Sequence, residues 1–452
     1  MASTTKKVLV PIANGTEPIE AVITIDVLRR GGADVTVASI EKQIRVDASH
    51  GVKLVADSLL SKCSDAVFDL ITLPGGMPGA TNFKSCQLLE KLVKKQAEDG
   101  KLYAAVCASP AVVFGSWGLL NGLKATCYPG FMDELKSSGA TAVESRVQEE
   151  GNVVTSRGPG TTMEFAVALV EKLLGKEKAD EVSGPLVMRS NHGDEYSIKE
   201  LNPMQWTFDD VPQVLVPIAN GTEEMEAIMI IDILRRAQVN VVVASVDSLE
   251  ILASRKVKLE ADMLLDEAAK LSYDLIVLPG GLGGAQAFAK SEKLVNMLKK
   301  QRESNRPYGA ICASPALVLE PHGLLKATKP DLSREKIVVE KMVGFSAHVK
   351  LAMVNVAEGP DSNHTANLAA MWLRIKFGHD VATYGKKVTA FPAMCNKLSD
   401  QSEIENRVVV DGNLITSRGP GTSMEFALAI VEKLLGRDKA LEVAKIMLFT
   451  HP

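Results

Sequence analysis

Two cysteines in this chain stand where a thiol can do chemistry. Cys107 lies in YAAVCASPAVV (Tyr103 to Val113) and Cys312 in YGAICASPALV (Tyr308 to Val318), each between a hydrophobic strand-like run and a proline-led helical pattern. That arrangement puts the sulfur on a strand-to-helix elbow. A thiol at the start of a helix meets the positive end of the helix dipole and free N–H groups, which lower its pKa and make it a nucleophile near neutral pH. Cys63, Cys86, Cys127 and Cys395 have no such setting and read as small buried hydrophobes. None of the six cysteines forms a CxxC pair or a ligand spacing, so neither a disulfide framework nor a metal site is expected.

Two other segments are built to serve a nucleophile. LPGG, at Leu73 to Gly76 and at Leu278 to Gly281, follows a hydrophobic run with paired glycines. Bare backbone N–H groups there can approach an anion or a developing oxyanion, or the glycines can simply make a turn with positive φ. The spacing is not that of a dinucleotide loop. NGTEPIE, Asn14 to Glu20, reads as a helix start, with Asn14 or Thr16 as cap and Pro18 in the first turn. Glu20 points toward the edge of the sheet, although acids at this position also complement the helix dipole.

The whole apparatus occurs twice. VLVPIANGTEPIEA (Val8 to Ala21) returns as VLVPIANGTEEMEA (Val214 to Ala227), Glu20 pairing with Glu226 at an offset of 206 and Cys107 with Cys312 at 205. Tyr128 pairs with Phe391 at 263, which leaves 58 extra residues in the second copy, best placed at 327–384. A period of this length exceeds the roughly 20 to 50 residues of solenoid repeats and is that of a whole domain. The expected organisation is therefore a first domain at 1–185, a linker at 186–211 and a second domain at 212–452 carrying the insert. In each copy β-branched runs alternate with longer helical patterns, which means a parallel sheet covered by helices on both faces. Ligands then bind beyond the carboxyl ends of the strands, where the three segments lie. The chain has 452 residues, 46% hydrophobic, with a net charge of −4 and interleaved signs. This excludes an electrostatic footprint for nucleic acid and a polybasic membrane surface. The start, MASTTKK, lacks the apolar stretch of a signal peptide, so the cytosol is expected.

The elbow AVCASP or AICASP, the LPGG segment, the early helix acid and the late TSRGPGT (Thr155 to Thr161, repeated with Arg418 in place of Arg157) together resemble the ThiJ/PfpI superfamily. Within it they resemble the subgroup of the Parkinson-associated deglycase, and the tandem arrangement is similar to that of its plant members. The resemblance implies an α/β fold, two tandem flavodoxin-like three-layer sandwiches with parallel sheets, like class I glutamine amidotransferases. It implies that Cys107 and Cys312 are the reactive thiols, that protonated Glu20 and Glu226 hydrogen-bond them, and that the N–H groups of Gly76, Ala108, Gly281 and Ala313 bind an oxyanion. The implied activity is a glutathione-independent glyoxalase, a glyoxalase III-type lyase of the D-lactate dehydratase class, or a protein deglycase, without cofactor or metal. The alternative is a redox-sensing, stress-protective chaperone whose cysteine is oxidised. Implied partners are small 2-oxoaldehydes and glycated or unfolded proteins, in the cytoplasm and also the nucleus. Because single-domain members are dimers, the copies are expected to form an intramolecular pseudo-dimer, with further association left open.

The sequence departs from this pattern at one telling place. Deglycase members carry a histidine in a THP segment, whereas here the segments read TCYP and TAFP, placing Tyr128 and Phe391 there. His50 faces Arg255 in the other copy and His322 faces Trp117, and both histidines read as surface or core residues. Alanine follows each cysteine, at Ala108 and Ala313, where protease-type members have histidine. Arg30, Arg236 and Arg255 read either as anion binders near the cysteines or as solvated charges. The insert holds His348, His364 and His379 without metal-ligand spacing, and its ANLAAMWLRIKF run patterns as an amphipathic helix. An insert of this length can disturb the second pocket, so Cys107 is the firmer active position.

Overall fold

The computed structural model describes residues 5–189, 196–326 and 385–450. It divides into two compact units, one of Met1–His322 with Lys387–Pro452 and the other of Gly323–Lys386. The expected insert helix and His348, His364 and His379 lie outside the described residues. Both repeats therefore belong to one unit.

The first repeat is a seven-stranded sheet whose five central strands run Asp34–Ser39, Lys7–Ile12, Leu70–Leu73, Leu102–Val106 and Val153–Ser156. All are parallel, and their spatial order, second, first, third, fourth, fifth, is the flavodoxin-like one. Leu70–Leu73 and Val153–Ser156 are buried along their whole length, as strands covered on both faces must be. Short Ser58–Leu59 and antiparallel Val147–Glu150 close the edges. The second repeat reproduces this frame with Asn240–Ser245, Gln213–Ile218, Leu275–Leu278, Tyr308–Ile311 and Leu414–Ser417.

It also gains a strand that composition did not announce. Lys199–Leu201, in the polar segment between the repeats, pairs parallel with Val408–Asp411, and Tyr196 and Trp206 nearby are buried. Two aromatic side chains give that segment enough apolar surface to dock.

Helix Pro18–Arg30 explains how the repeats meet. Its cap is Glu17, whose carboxylate accepts the Glu20 N–H at 2.7 Å. The expected caps are not used, since Thr16 turns its hydroxyl back to accept the Ala13 N–H at 2.9 Å. Every residue from Pro18 to Leu28 is buried, which a surface helix never shows. The helix packs on the strands, on Thr162–Leu174 and on its own counterpart Glu224–Arg236.

Arg30 and Arg236 cross this helix pair. Arg30 binds Asp26 of its own helix and Glu223 of the other repeat, at 2.7 Å, and Arg236 binds Asp232 and, at 2.6 Å, Glu17. They are not solvated helix-end charges. Lys53–Val55 pairs antiparallel with Lys258–Glu260, so a small four-stranded sheet is shared by both copies. The tails cross as well: Gly160 N–H donates to Met447 O at 2.7 Å, while Arg407 Nη1 donates to Val187 O at 2.9 Å. No helix among the described residues is long and apolar enough to cross a membrane.

Candidate active site

In an open parallel sheet the ligand crevice lies where strand order reverses, here between Lys7–Ile12 and Leu70–Leu73. The loops leaving those two strands are NGTE and LPGG. The elbow after the next strand, Leu102–Val106, delivers Cys107 to the same place. The cysteine takes a left-handed conformation, φ 65°, pinned by its N–H on Ser156 O at 3.0 Å and its carbonyl under Tyr128 N–H at 2.8 Å. A non-glycine residue in that region costs about 1–3 kcal/mol and persists only where its surroundings fix it. Cys312 repeats the geometry, with φ 63° and the same bonds to Ser417 and Phe391.

Glu20 lies beneath the sulfur. Its side chain is fully buried, Oε2 accepts the Gly75 N–H at 2.7 Å, and the carboxyl also meets the Cys107 thiol in a hydrogen bond. Gly75 has to be glycine, because a Cβ there would stand 2.5 Å from Cys107 Cβ and 2.9 Å from Glu20 Oε2. The next N–H, of Gly76, addresses the cysteine sulfur. Glu226, Gly280, Gly281 and Cys312 form the same constellation in the second repeat. The sequence-selected residues Cys107, Glu20, Gly76 and Ala108 are thus brought together, as are Cys312, Glu226, Gly281 and Ala313.

The electrostatics differ from the sequence expectation of a dipole-stabilised thiolate. The helix after the elbow, Pro110–Gly115, has only six residues. Burial pushes the Glu20 carboxyl up to about 7. Burial, and then the charge of an ionised Glu20, push the Cys107 thiol well above its ordinary range, against the Gly76 N–H, which lowers it. Glu226 and Cys312 behave alike. Each pair consequently loses its first proton near pH 7 and above that holds one proton between two acids, titrating as a unit. The thiolate arises by moving that proton onto the carboxyl.

Cys107 opens onto a cavity of about 450 Å³. Ala108, Tyr128, Met77 and Pro78 line it, and Arg236 and Ile446 of the second repeat complete the wall. The Tyr128 hydroxyl donates to Ile446 O at 3.1 Å, tying the tail of one repeat over the pocket of the other. Of the remaining cysteines, Cys63, Cys127 and Cys395 are buried, and burial pushes the Cys127 thiol up to about 12, as suits inert core thiols. Cys86 is half-buried at the start of helix Gln87–Glu98.

Sequence reasoning missed His50. It lines the cavity, with φ 56°, and its Nδ1 lies 2.7 Å from Asp232 Oδ2 of the other repeat. The one available signal was its mismatch with Arg255 inside otherwise similar ASHGVK and ASRKVK stretches. Glu17, His50 and Asp232 bring three ligand atoms within 4.8 Å, as do Asp26, Glu223 and Glu224. In each cluster a guanidinium already bridges two carboxylates, so a divalent cation would have to displace Arg236 or Arg30.

The sequence matches the DJ-1/PfpI family over residues 6–172, 212–332 and 378–433. The chain belongs to that family. It is 63% identical to Protein DJ-1 homolog B of Arabidopsis thaliana over 449 residues, covering 99% of this chain and 89% of that one. It is 35% identical to the Glutathione-independent glyoxalase DJR-1.2 of Caenorhabditis elegans over 175 residues, 38% of this chain and 90% of the other. Among solved structures, oxidized Toxoplasma gondii DJ-1 is 45% identical, with a TM-score of 0.39, over 40% of this chain and 98% of its own.

Proposed function

We propose that this DJ-1/PfpI chain is a glutathione-independent glyoxalase, converting methylglyoxal to lactate and glyoxal to glycolate through Cys107. The observation that carries the reading is the half-buried Cys107 standing over the fully buried Glu20 carboxyl at a cavity of about 450 Å³. The glyoxalase name of the Caenorhabditis elegans relative supports it.

The chemistry balances without a cofactor. The thiol proton passes to Glu20 as sulfur adds to the aldehyde carbon, and the resulting hemithioacetal oxygen accepts N–H bonds from Gly76 and Ala108. Removal of the C1 proton and protonation of the C2 oxygen give an enediol. Reprotonation at C2, with loss of the C1 hydroxyl proton, gives a lactyl thioester. Water then breaks the C–S bond, releasing lactate and restoring the thiol, so that the net reaction adds one water to methylglyoxal. The same thiol chemistry on an adduct carried by a protein would be deglycation.

A second reading, redox sensing with a chaperone role, is favoured for the second repeat, where Phe391 replaces Tyr128 and Arg255 replaces His50. A sulfinate there would meet the Gly281 N–H.

Lactate formation from methylglyoxal without glutathione tests the enzyme reading in the native chain, Cys107→Ser, Cys312→Ser and the double variant. Turnover abolished by Cys107→Ser and largely kept by Cys312→Ser is expected. A native chain that makes no lactate removes the glyoxalase reading.

A further inference from the structure

The thioester step needs a base for water, and Glu20 is poorly placed for it, sealed beneath the sulfur with no exposed surface. The other proton-active groups lining the cavity are mostly engaged. Glu17 holds Arg236 and caps the Glu20 N–H. The Tyr128 hydroxyl is committed to Ile446 O, and burial pushes it above its ordinary range. Ser49 Oγ donates to Gly15 O at 3.1 Å.

His50 is different. Its side chain is 31% exposed, at the mouth of the cavity. Its backbone is fixed on both sides: Ser49 N–H bonds Thr16 O at 2.9 Å, and Arg235 Nη1 from the second repeat bonds His50 O at 3.1 Å and Gly51 O at 2.8 Å. Asp232 accepts from Nδ1, which in the neutral ring leaves the lone pair on Nε2, and Nε2 makes no hydrogen bond to a described residue. Nucleophile, base and an acid orienting that base form the triad logic of acyl-transfer sites. Here the third member comes from the other half of the chain.

We propose that His50, oriented by Asp232, is the general base that deacylates the Cys107 thioester, and that the first site is therefore completed by the second repeat. This rests on the glyoxalase reading. In the step, a water proton moves to Nε2 as its oxygen adds to the thioester carbonyl. The C–S bond breaks with its electron pair on sulfur, the thiolate recovers a proton from Glu20, and the imidazolium returns its proton to solvent. The second site has no equivalent, since Arg255 stands in the place of His50 and its backbone N–H is held by Glu224 at 2.8 Å. A thioester formed on Cys312 would persist.

The test uses the full chain with Cys312→Ser in the background. Histidine is replaced by asparagine, which tolerates positive φ and can still donate to Asp232. The expected result for His50→Asn is at least a tenfold fall in kcat with a parallel fall in KM, and a burst of one methylglyoxal consumed per chain. Hydroxylamine should release the trapped acyl group as a hydroxamate, and imidazole should restore turnover to His50→Gly. A merely structural role predicts neither the burst nor either rescue. A kcat within twofold of the parent, or a loss of kcat without a burst, overturns the assignment while leaving the glyoxalase reading intact. Absence of lactate from the native chain overturns both.

Discussion

A carboxyl sealed under a thiol makes the reactivity of Cys107 a property of two residues. Glu20→Gln removes the acceptor of the thiol proton while keeping an oxygen for the Gly75 N–H, so the thiol must ionise alone in a buried site. Because the ionised Glu20 charge pushes the thiol up, alkylation of Cys107 by iodoacetamide near pH 8 should quicken about tenfold in Glu20→Gln, one pKa unit being tenfold in thiolate. The levelling of the native rate above about pH 7 should give way to a continued rise; an unchanged profile would show that Glu20 does not govern the sulfur. The same group sets a stability signature. The folded carboxyl titrates near 7 against 4.5 for the free group, so its burial is tolerated at low pH and weakens the fold as pH rises through the folded value. Glu20→Gln should melt with the native chain near pH 5 and above it near pH 8, with a gain on the order of 3 kcal/mol. Equal melting temperatures at both pH values would contradict the raised carboxyl.

At the scale of elements, much of the site was legible. LPGG announces a backbone approach, and the structure shows why: Cys107 and Glu20 close on Gly75 from two directions. Gly75→Ala should cost about 1–3 kcal/mol by overpacking and suppress alkylation of Cys107, as read by urea unfolding and thiol labelling. Gly280→Ala should do likewise for Cys312. The elbow, the strand alternation and the repeat were readable because each is a short-range pattern. The helix cap was not. Thr16 and Glu17 are both competent, and only the fold, by turning the Thr16 hydroxyl toward Ala13, leaves Glu17 to serve the helix. The lowered thiol pKa expected from an elbow failed for a related reason, because the length of the following helix and the burial of Glu20 are tertiary facts.

The least legible features belong to the whole molecule. Nothing near His50 points to Asp232, and nothing near Arg30 points to Glu223; each partner lies some two hundred residues away and contributes no local pattern. Yet these contacts hold the copies together. Truncating Arg236 leaves Asp232 and Glu17 buried without their counter-charge, which for buried pairs costs about 3–5 kcal/mol. Arg236→Ala and Arg30→Ala should therefore lower the urea midpoint by similar amounts. Arg236→Ala should in addition alter methylglyoxal kinetics at Cys107, because Arg236 lines that cavity. A surface-like effect below about 1 kcal/mol would assign the guanidinium pairs a negligible part in joining the repeats.

The fusion of the two repeats also changes what mutation can do. In a symmetric homodimer every substitution is written into both interfaces at once, so a helpful imidazole in one pocket imposes the same imidazole on the other. Joined in a single chain, the halves are inherited together but vary separately. His50 and Arg255 occupy matching positions with opposite chemical talents, and Tyr128 faces Phe391 in the same way. A lineage carrying such a chain can alter one pocket while the other keeps its earlier duty, a freedom closed to its single-repeat relatives.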